Sequence, residues 1–283
     1  MPELPEVEHA RPQFLSILGT EEVVAARAVD SIVVPQSHAS FASALTGHRI
    51  EGIGRVGKNL LVRLEGDRAL WFHLGMTGRV VRWREEDEVP RFTRWWIATS
   101  KGRLALADAR KLGRAVAGPT ETVRGAAKLD RLGPDALGVK TGEALAALFA
   151  KTKLPIKVAL MDQARLAGIG NIQAAEALWL AKVHPDTPVP DLTPKQWGAL
   201  ADAMQETLRR SIESMKGDEE VVYVEAGGPN PFQVYDREGE RCPRCKRGTI
   251  VREVSRGRST YLCPTCQGAE PTRGQARRPR SSR

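Results

Sequence analysis

The chain lacks any run of about 18 apolar residues, so no membrane-spanning helix is expected. Its opening, Met1-Pro2-Glu3-Leu4-Pro5-Glu6, carries no basic stretch ahead of an apolar core and does not read as a secretory signal. A reducing, cytosolic compartment is therefore expected. No internal repeat is visible. Cysteine is missing from the first 241 residues, and so is any excess of positive charge: residues 1–240 hold 31 Lys/Arg against 32 Asp/Glu. What is present is a 283-residue chain, 41% hydrophobic and 27% charged, too apolar for disorder and long enough for two packed domains.

The last 43 residues hold 12 Lys/Arg and 2 Asp/Glu, so the net charge of +9 comes from this end. A concentrated basic segment is the footprint of a polyanion binder, or of a solubilising tail. All four cysteines lie inside it, as Cys242-Pro-Arg-Cys245 and Cys263-Pro-Thr-Cys266. Two such pairs match the ligand set of a tetrahedral structural zinc site, one Zn2+ held by four thiolates with no position left for water. Disulfides and a redox pair are the competing readings; the cytosol disfavours the first, and the second needs only one pair. Between the knuckles, apolar and polar residues alternate around Ser255-Arg256-Gly257, which predicts a β-hairpin with Arg256 and Arg258 at its tip. Arginines on so small a finger suit phosphate.

Upstream, residues 1–15 read as a helix start, with Val7, Phe14 and Leu15 on one face. Short β-like runs follow at Glu22–Val29, Leu60–Leu64, Ala69–Leu74, Arg79–Trp83, Trp95–Thr99 and Arg103–Ala107, which suggests a sandwich or barrel with Trp95 and Trp96 in its core. Helical patterns cover Gly142–Lys151, Pro155–Arg165, Ile172–Ala181 and Pro194–Met215, the last with Thr193 as N-cap. The turn Ala167-Gly168-Ile169-Gly170-Asn171 opens a helix. It reads either as an anion site of free N–H groups or as an ordinary corner capped by Asn171. Domains are expected at 1–124 and 141–232 with a 125–140 linker, then a finger at 233–267 and a basic, disordered tail at 268–283.

Several segments, in order, resemble the formamidopyrimidine-DNA glycosylase and endonuclease VIII family. They are Met1-Pro-Glu-Leu-Pro-Glu-Val-Glu8, His73-Leu-Gly-Met76, Leu160-Met-Asp-Gln163, Gly168-Ile-Gly-Asn171, Val234-Tyr-Asp-Arg-Glu-Gly239 and the four-cysteine finger. The N-terminal octet is similar to the formamidopyrimidine branch. The resemblance implies an α+β multidomain protein: an N-terminal β-sandwich, a helical helix-two-turn-helix domain and a C-terminal zinc-finger β-hairpin. It implies a monomeric, bacterial-type cytoplasmic enzyme that binds damaged double-stranded DNA in a cleft, excises an oxidised base and cleaves the strand at the abasic sugar.

Residue by residue, the resemblance makes Pro2 the nucleophile once Met1 is removed, because an α-amino group titrates near pH 8. Glu3 becomes the general acid/base, and Lys58 a phosphate ligand that assists proton transfer. Arg258 becomes the finger arginine, clamping phosphate and aiding the second elimination. Asn171, Lys157 and Lys153 become further DNA contacts. A base inside a duplex must be flipped out; Met76 matches the plug that fills the gap, and Arg110 the residue facing the orphaned base. Departures lie on the base side. Asp108-Ala-Arg-Lys-Leu-Gly113 places Leu112 where the family has a phenylalanine wedge, Arg91-Phe-Thr-Arg94 replaces a histidine-containing stretch, and Gln173 stands for a tyrosine. The loop Ser214–Pro231, which closes over the base in the family, is shorter and lacks its usual start. The same chemistry on oxidised pyrimidines or abasic sites, or a non-catalytic damage binder, is the alternative.

Overall fold

The computed structural model describes residues 2–217, 224, 227–255 and 257–268. Arg256, the proposed tail from 269 onward, Met1 and much of the Ser214–Pro231 loop lie outside the described residues.

Helix α1 (Leu4–Leu18) leads into strand β1 (Val23–Ala28), helix α2 (His38–Leu45) and strands β2 (Ile50–Val56), β3 (Asn59–Leu64), β4 (Arg68–His73), β5 (Arg79–Trp83), β6 (Thr93–Thr99), β7 (Arg103–Ala107) and β8 (Arg114–Pro119). The strands form two antiparallel four-stranded sheets, ordered β1-β6-β7-β5 and β2-β3-β4-β8. Leu60, Val62, Leu70 and Phe72 from one sheet and Trp95, Ile97, Leu104 and Leu106 from the other fill one core, so this part is a β-sandwich. Trp95 is fully buried and meets Phe72 edge-on at 5.1 Å.

Two strands and two helices, α2 and the helix over Thr120–Ala127 that runs into the expected linker, escaped the sequence reading. In β2 (Ile50-Glu-Gly-Ile-Gly-Arg-Val56) two glycines break the apolar alternation. Strand β8 is mostly small residues with one β-branched side chain. Helix α2 is short, and Ser37 caps it by accepting the Ser40 N–H.

Helix α3 (Thr120–Ala127) and two single-turn helices lead into α4 (Gly142–Phe149), α5 (Ile156–Leu160), α6 (Asn171–Ala181) and α7 (Pro194–Ser214). The predicted helix over 155–165 stops at Leu160, because the Asp162 side chain takes the Ala164 N–H and folds the chain into turns. Leu145, Phe149, Leu160, Leu178 and Leu200 form a second core. Helix α1 is shared: Leu4 belongs to this helical core, whereas Val7, Phe14 and Leu18 belong to the sandwich. The start of α1 therefore sits where the two cores meet. Strands β9 (Val251–Ser255) and β10 (Arg258–Leu262) form the expected hairpin, followed by the single turn α8 (Pro264–Gln267), and pack on Trp179 of α6.

Candidate active site

Glu3 is the N-cap of α1 and is 1% exposed. It makes a capping box with Glu6: its side chain accepts the Glu6 N–H, and Glu6 Oε2 accepts the Glu3 N–H at 2.8 Å. The same Glu3 carboxylate reaches into the helical domain. It accepts the N–H groups of Gly170 (2.9 Å), Ile172 (2.8 Å) and Gln173 (3.1 Å) at the start of α6. A helix N-terminus attracts an anion through its free N–H groups and its dipole; here the anion is the protein's own Glu3. Of the two readings of this turn, the anion site holds, but it is filled from within. Gly170 occupies the cap position and Asn171 lies inside the first turn, its Nδ2 donating to the Ser259 carbonyl at 3.0 Å.

The two glycines of the turn are explained by what they touch. Gly168 has φ +111°, and a Cβ there would meet Leu4 Cδ1 at 2.4 Å. A Cβ on Gly170 would lie 2.3 Å from Glu3 Cδ and 2.7 Å from Lys58 Nζ. Lys58 thus leans over the same spot from the tight β2–β3 turn. That turn is fastened by Asp135, which takes the Gly57 N–H at 2.8 Å and pairs with Arg55, while Arg55 Nε also donates to Glu8 of α1 at 2.6 Å. Pro2 is buried directly before Glu3.

Burial pulls the Lys58 ammonium below its ordinary range; the Glu3 and Glu6 charges oppose this and Arg258 adds to it. Glu6 is pushed up to about 7, first by burial and then by the Glu3 charge. His73 is held down to about 4, by burial first and then by Lys58 and Arg114, and its Nδ1 accepts the Gly75 N–H at 2.9 Å.

The finger closes the other side. Lys157 is buried, donates to the Ser259 carbonyl (3.0 Å) and Thr260 Oγ1 (2.7 Å), and is lowered to about 8 by burial, with Arg258 adding to the shift. Lys157 and exposed Arg258 line a cavity of about 190 Å³ together with Val158, Met161, Asp162 and Ser255. Lys153 is exposed in the connection before α5, outside this cavity. Met76, Arg110 and Leu112 are exposed on loops of the sandwich.

The four sulfurs of Cys242, Cys245, Cys263 and Cys266 lie within 4.8 Å of one another, with Cys242–Cys266 at 3.7 Å and Cys245–Cys263 at 3.8 Å. A tetrahedron of thiolates at ~2.3 Å from zinc has edges of ~3.8 Å, so the donor set fits one structural Zn2+.

Three family models match in order: the formamidopyrimidine-DNA glycosylase N-terminal domain over residues 1–115, its H2TH domain over 132–221, and the zinc finger found in FPG and IleRS over 239–268. A protein named formamidopyrimidine-DNA glycosylase from Chloroflexus aurantiacus is 39% identical over 276 residues, covering 94% of this chain and 98% of its own. The chain belongs to the formamidopyrimidine-DNA glycosylase family. Two solved structures of the Lactococcus lactis member are similar, one with DNA containing an abasic site and one with DNA containing FAPY-dG. Each has a TM-score of 0.83 and 29% identity; they cover 95% and 94% of this chain and all of the solved chains. The glycosylase fold thus comprises sandwich, H2TH unit and zinc finger. Among the described residues no helix is long and apolar enough to cross a membrane.

Within this glycosylase architecture, the structure brings Glu3, Lys58, Lys157, Asn171 and Arg258 around one junction, and it leaves Lys153 outside. The sequence reading missed Glu6, Arg55 and Asp135. Glu6 was legible as the capping-box partner of Glu3, three residues on. Asp135 carried no local signal, because its partners are 78 and 80 residues away.

Proposed function

We propose that the chain is a bifunctional base-excision-repair enzyme: a DNA glycosylase with abasic-site lyase activity, acting on oxidised purines such as 8-oxoguanine and formamidopyrimidines in duplex DNA. The observation that carries this reading is the Glu3 carboxylate, fixed by the N-terminus of α6 beside Pro2 and under Lys58. Three groups suited to chemistry at a deoxyribose, Pro2, Glu3 and Lys58, lie together there.

With Met1 removed, the Pro2 amine attacks C1′ and the glycosidic bond breaks, so the damaged base leaves. Glu3 delivers a proton to the ring oxygen as the ring opens, giving an iminium between Pro2 and C1′. That cation acidifies the C2′ proton. Its loss expels the 3′ phosphate, and a second elimination expels the 5′ phosphate. Lys58 binds the phosphate of the flipped nucleotide in this reading, and its ammonium, lowered by burial, suits a proton shuttle. Arg258 and Lys157 supply positive charge for the departing phosphates. The zinc holds the hairpin that presents Arg258 and takes no part in the chemistry.

Oxidised pyrimidines or abasic sites are the second reading of the substrate. It is favoured by Leu112, an exposed aliphatic side chain where the family resemblance expects an aromatic wedge. Incubating the protein under borohydride with duplexes carrying 8-oxoguanine, a formamidopyrimidine, dihydrouracil or an abasic site separates these. Covalent trapping on the two purine lesions is expected, and Pro2→Gly abolishes it while duplex binding survives. Trapping on no duplex would refute the enzymatic reading. Equal trapping by Pro2→Gly would move the nucleophile to another amine.

A further inference from the structure

Strand register shows which loops share one end of the sandwich. Ala28 pairs with Trp95, Thr93 with Ala107, and Arg79 with Ala107. In the other sheet Val56 pairs with Asn59, Asn59 with His73, and His73 with Arg114. The segments after β1, between β2 and β3, between β4 and β5, before β6 and between β7 and β8 therefore emerge together. This end carries Lys58, Met76, Arg110 and Leu112, and it also carries Val29, Ile32 and Phe92. Of the eight large hydrophobic side chains exposed among the described residues, Val29, Ile32, Met76, Phe92 and Leu112 sit here.

Phe92 stands out among them. It is the aromatic one, 41% exposed, on a left-handed backbone (φ +66°) that a residue with a side chain rarely adopts. Its segment is anchored to both neighbouring loops. The Phe92 carbonyl accepts the Asp108 N–H at 3.0 Å, at the root of the loop that bears Arg110 and Leu112. Arg94 donates to the Asp108 carbonyl at 2.7 Å and to Asp30 at 3.2 Å, and Lys111 pairs with Asp30 at 2.9 Å. The Asp108 carboxylate accepts the Gly113 N–H at 2.7 Å and bonds Thr77, next to Met76. Three loops thus form one braced rim, and the ring is displayed on it without being part of the core.

The surroundings indicate what the ring meets. The Arg91 guanidinium lies 4.5 Å from its centroid, and Arg91 and Arg110 are exposed. The acidic run Glu85–Glu88 begins where β5 ends, at Trp83, which pairs with Arg103 at the opposite end of the sandwich; Glu85 itself is paired with Arg103 there. A flat apolar face beside exposed cations, on a rim whose Asp30 and Asp108 carboxylates are already taken up by Arg94, Lys111, Gly113 and Thr77, suits a nucleobase on a phosphate strand better than a protein surface.

The geometry points to Phe92 as a base-stacking contact to the undamaged DNA strand, supplying at this rim the aromatic surface that Leu112 lacks. This rests on the proposed glycosylase reading. Flipping out a damaged nucleotide leaves the opposite base unpartnered, and an aromatic face relieves part of that unstacking. Phe92 here is a binding and specificity residue and takes no part at the sugar.

The test uses the full chain and a duplex with a tetrahydrofuran abasic-site analogue opposite 2-aminopurine, with an intact duplex alongside. The parent must bind the lesion duplex and trap on 8-oxoguanine in the same preparation; if it does neither, the enzymatic reading fails before Phe92 is judged. Given a competent parent, Phe92→Ala is expected to weaken lesion-duplex binding roughly 5- to 150-fold, the range of a lost base–aromatic stack. Intact-duplex binding should change less, and the 2-aminopurine emission should rise. Phe92→Trp should retain affinity, which controls for folding, and Leu112→Phe should recover part of the loss in the Phe92→Ala background. Unchanged affinity in Phe92→Ala overturns the proposal. So does a loss shared equally by the intact duplex with no change in emission.

Discussion

The Gly170 N–H donates to Glu3 Oε2 at 2.9 Å, across 167 residues of chain and across the boundary between the two cores. The carboxylate proposed to act on the sugar is thus also the cap of a helix in the other domain. Catalytic placement and domain docking are the same set of bonds.

Gly170→Ala tests this directly. The added Cβ would sit 2.3 Å from Glu3 Cδ and 2.7 Å from Lys58 Nζ, so the carboxylate, the lysine or the whole helix must shift. A displacement near 1 Å at a reacting group costs on the order of 100-fold in rate. Single-turnover trapping on 8-oxoguanine should fall by at least that much, while the circular dichroism of the sandwich is retained. Trapping within threefold of the parent would show that Glu3 is not held where it acts.

Glu6, pushed up to about 7, keeps a proton that an unfolded chain would release near 4.5. The folded state then binds more protons than the unfolded one between these values, so the group's contribution to stability falls as pH rises from about 4.5 to 7. Glu6→Gln keeps the acceptor for the Glu3 N–H and removes the titration. Melting temperatures from pH 4.5 to 8 should show the variant gaining on the parent with rising pH. A constant difference across that range would mean that Glu6 titrates normally.

Arg258 is exposed at the first position of β10, beside the cavity it shares with Lys157. Each phosphate contact contributes close to one unit to the dependence of log affinity on log salt. Arg258→Ala should weaken duplex binding and reduce that slope by about one. A salt titration with an unchanged slope would place Arg258 off the phosphates. The second elimination should also slow relative to the first, seen as a larger fraction of β-elimination product on a sequencing gel.

Zinc removal should act on binding before it acts on the fold. The finger has a small core of its own around Val234, Ile250 and Tyr261, packed on Trp179, whereas the sandwich and helical cores lie elsewhere. Chelation with a thiol-reactive release agent should liberate one zinc per chain and abolish DNA binding, with most secondary structure retained. Cys263→Ser should do the same. Full-affinity binding after complete zinc release would rule out the hairpin as part of the interface.

The sequence by itself determined the local features, because their causes are local. Cys-Pro-Arg-Cys and Cys-Pro-Thr-Cys specify a zinc knuckle pair by spacing alone. Thr193-Pro194 specifies the start of α7, where the structure finds Thr193 capping through the Gln196 N–H. Alternation specified six of the eight sandwich strands, and it failed at β2 and β8, where glycine and alanine carry little pattern. The family resemblance implied Pro2, Glu3, Lys58 and Arg258 as a set without saying how they would meet. Only the tertiary structure decided that. It showed that the Gly168–Asn171 turn is closed by Glu3, that Asp135 braces the Lys58 turn, and that Phe92 joins Met76 and Leu112 on one rim. Each of these depends on contacts between segments tens to more than a hundred residues apart. Such contacts are set by how two cores pack around α1, and no short-range periodicity encodes that packing.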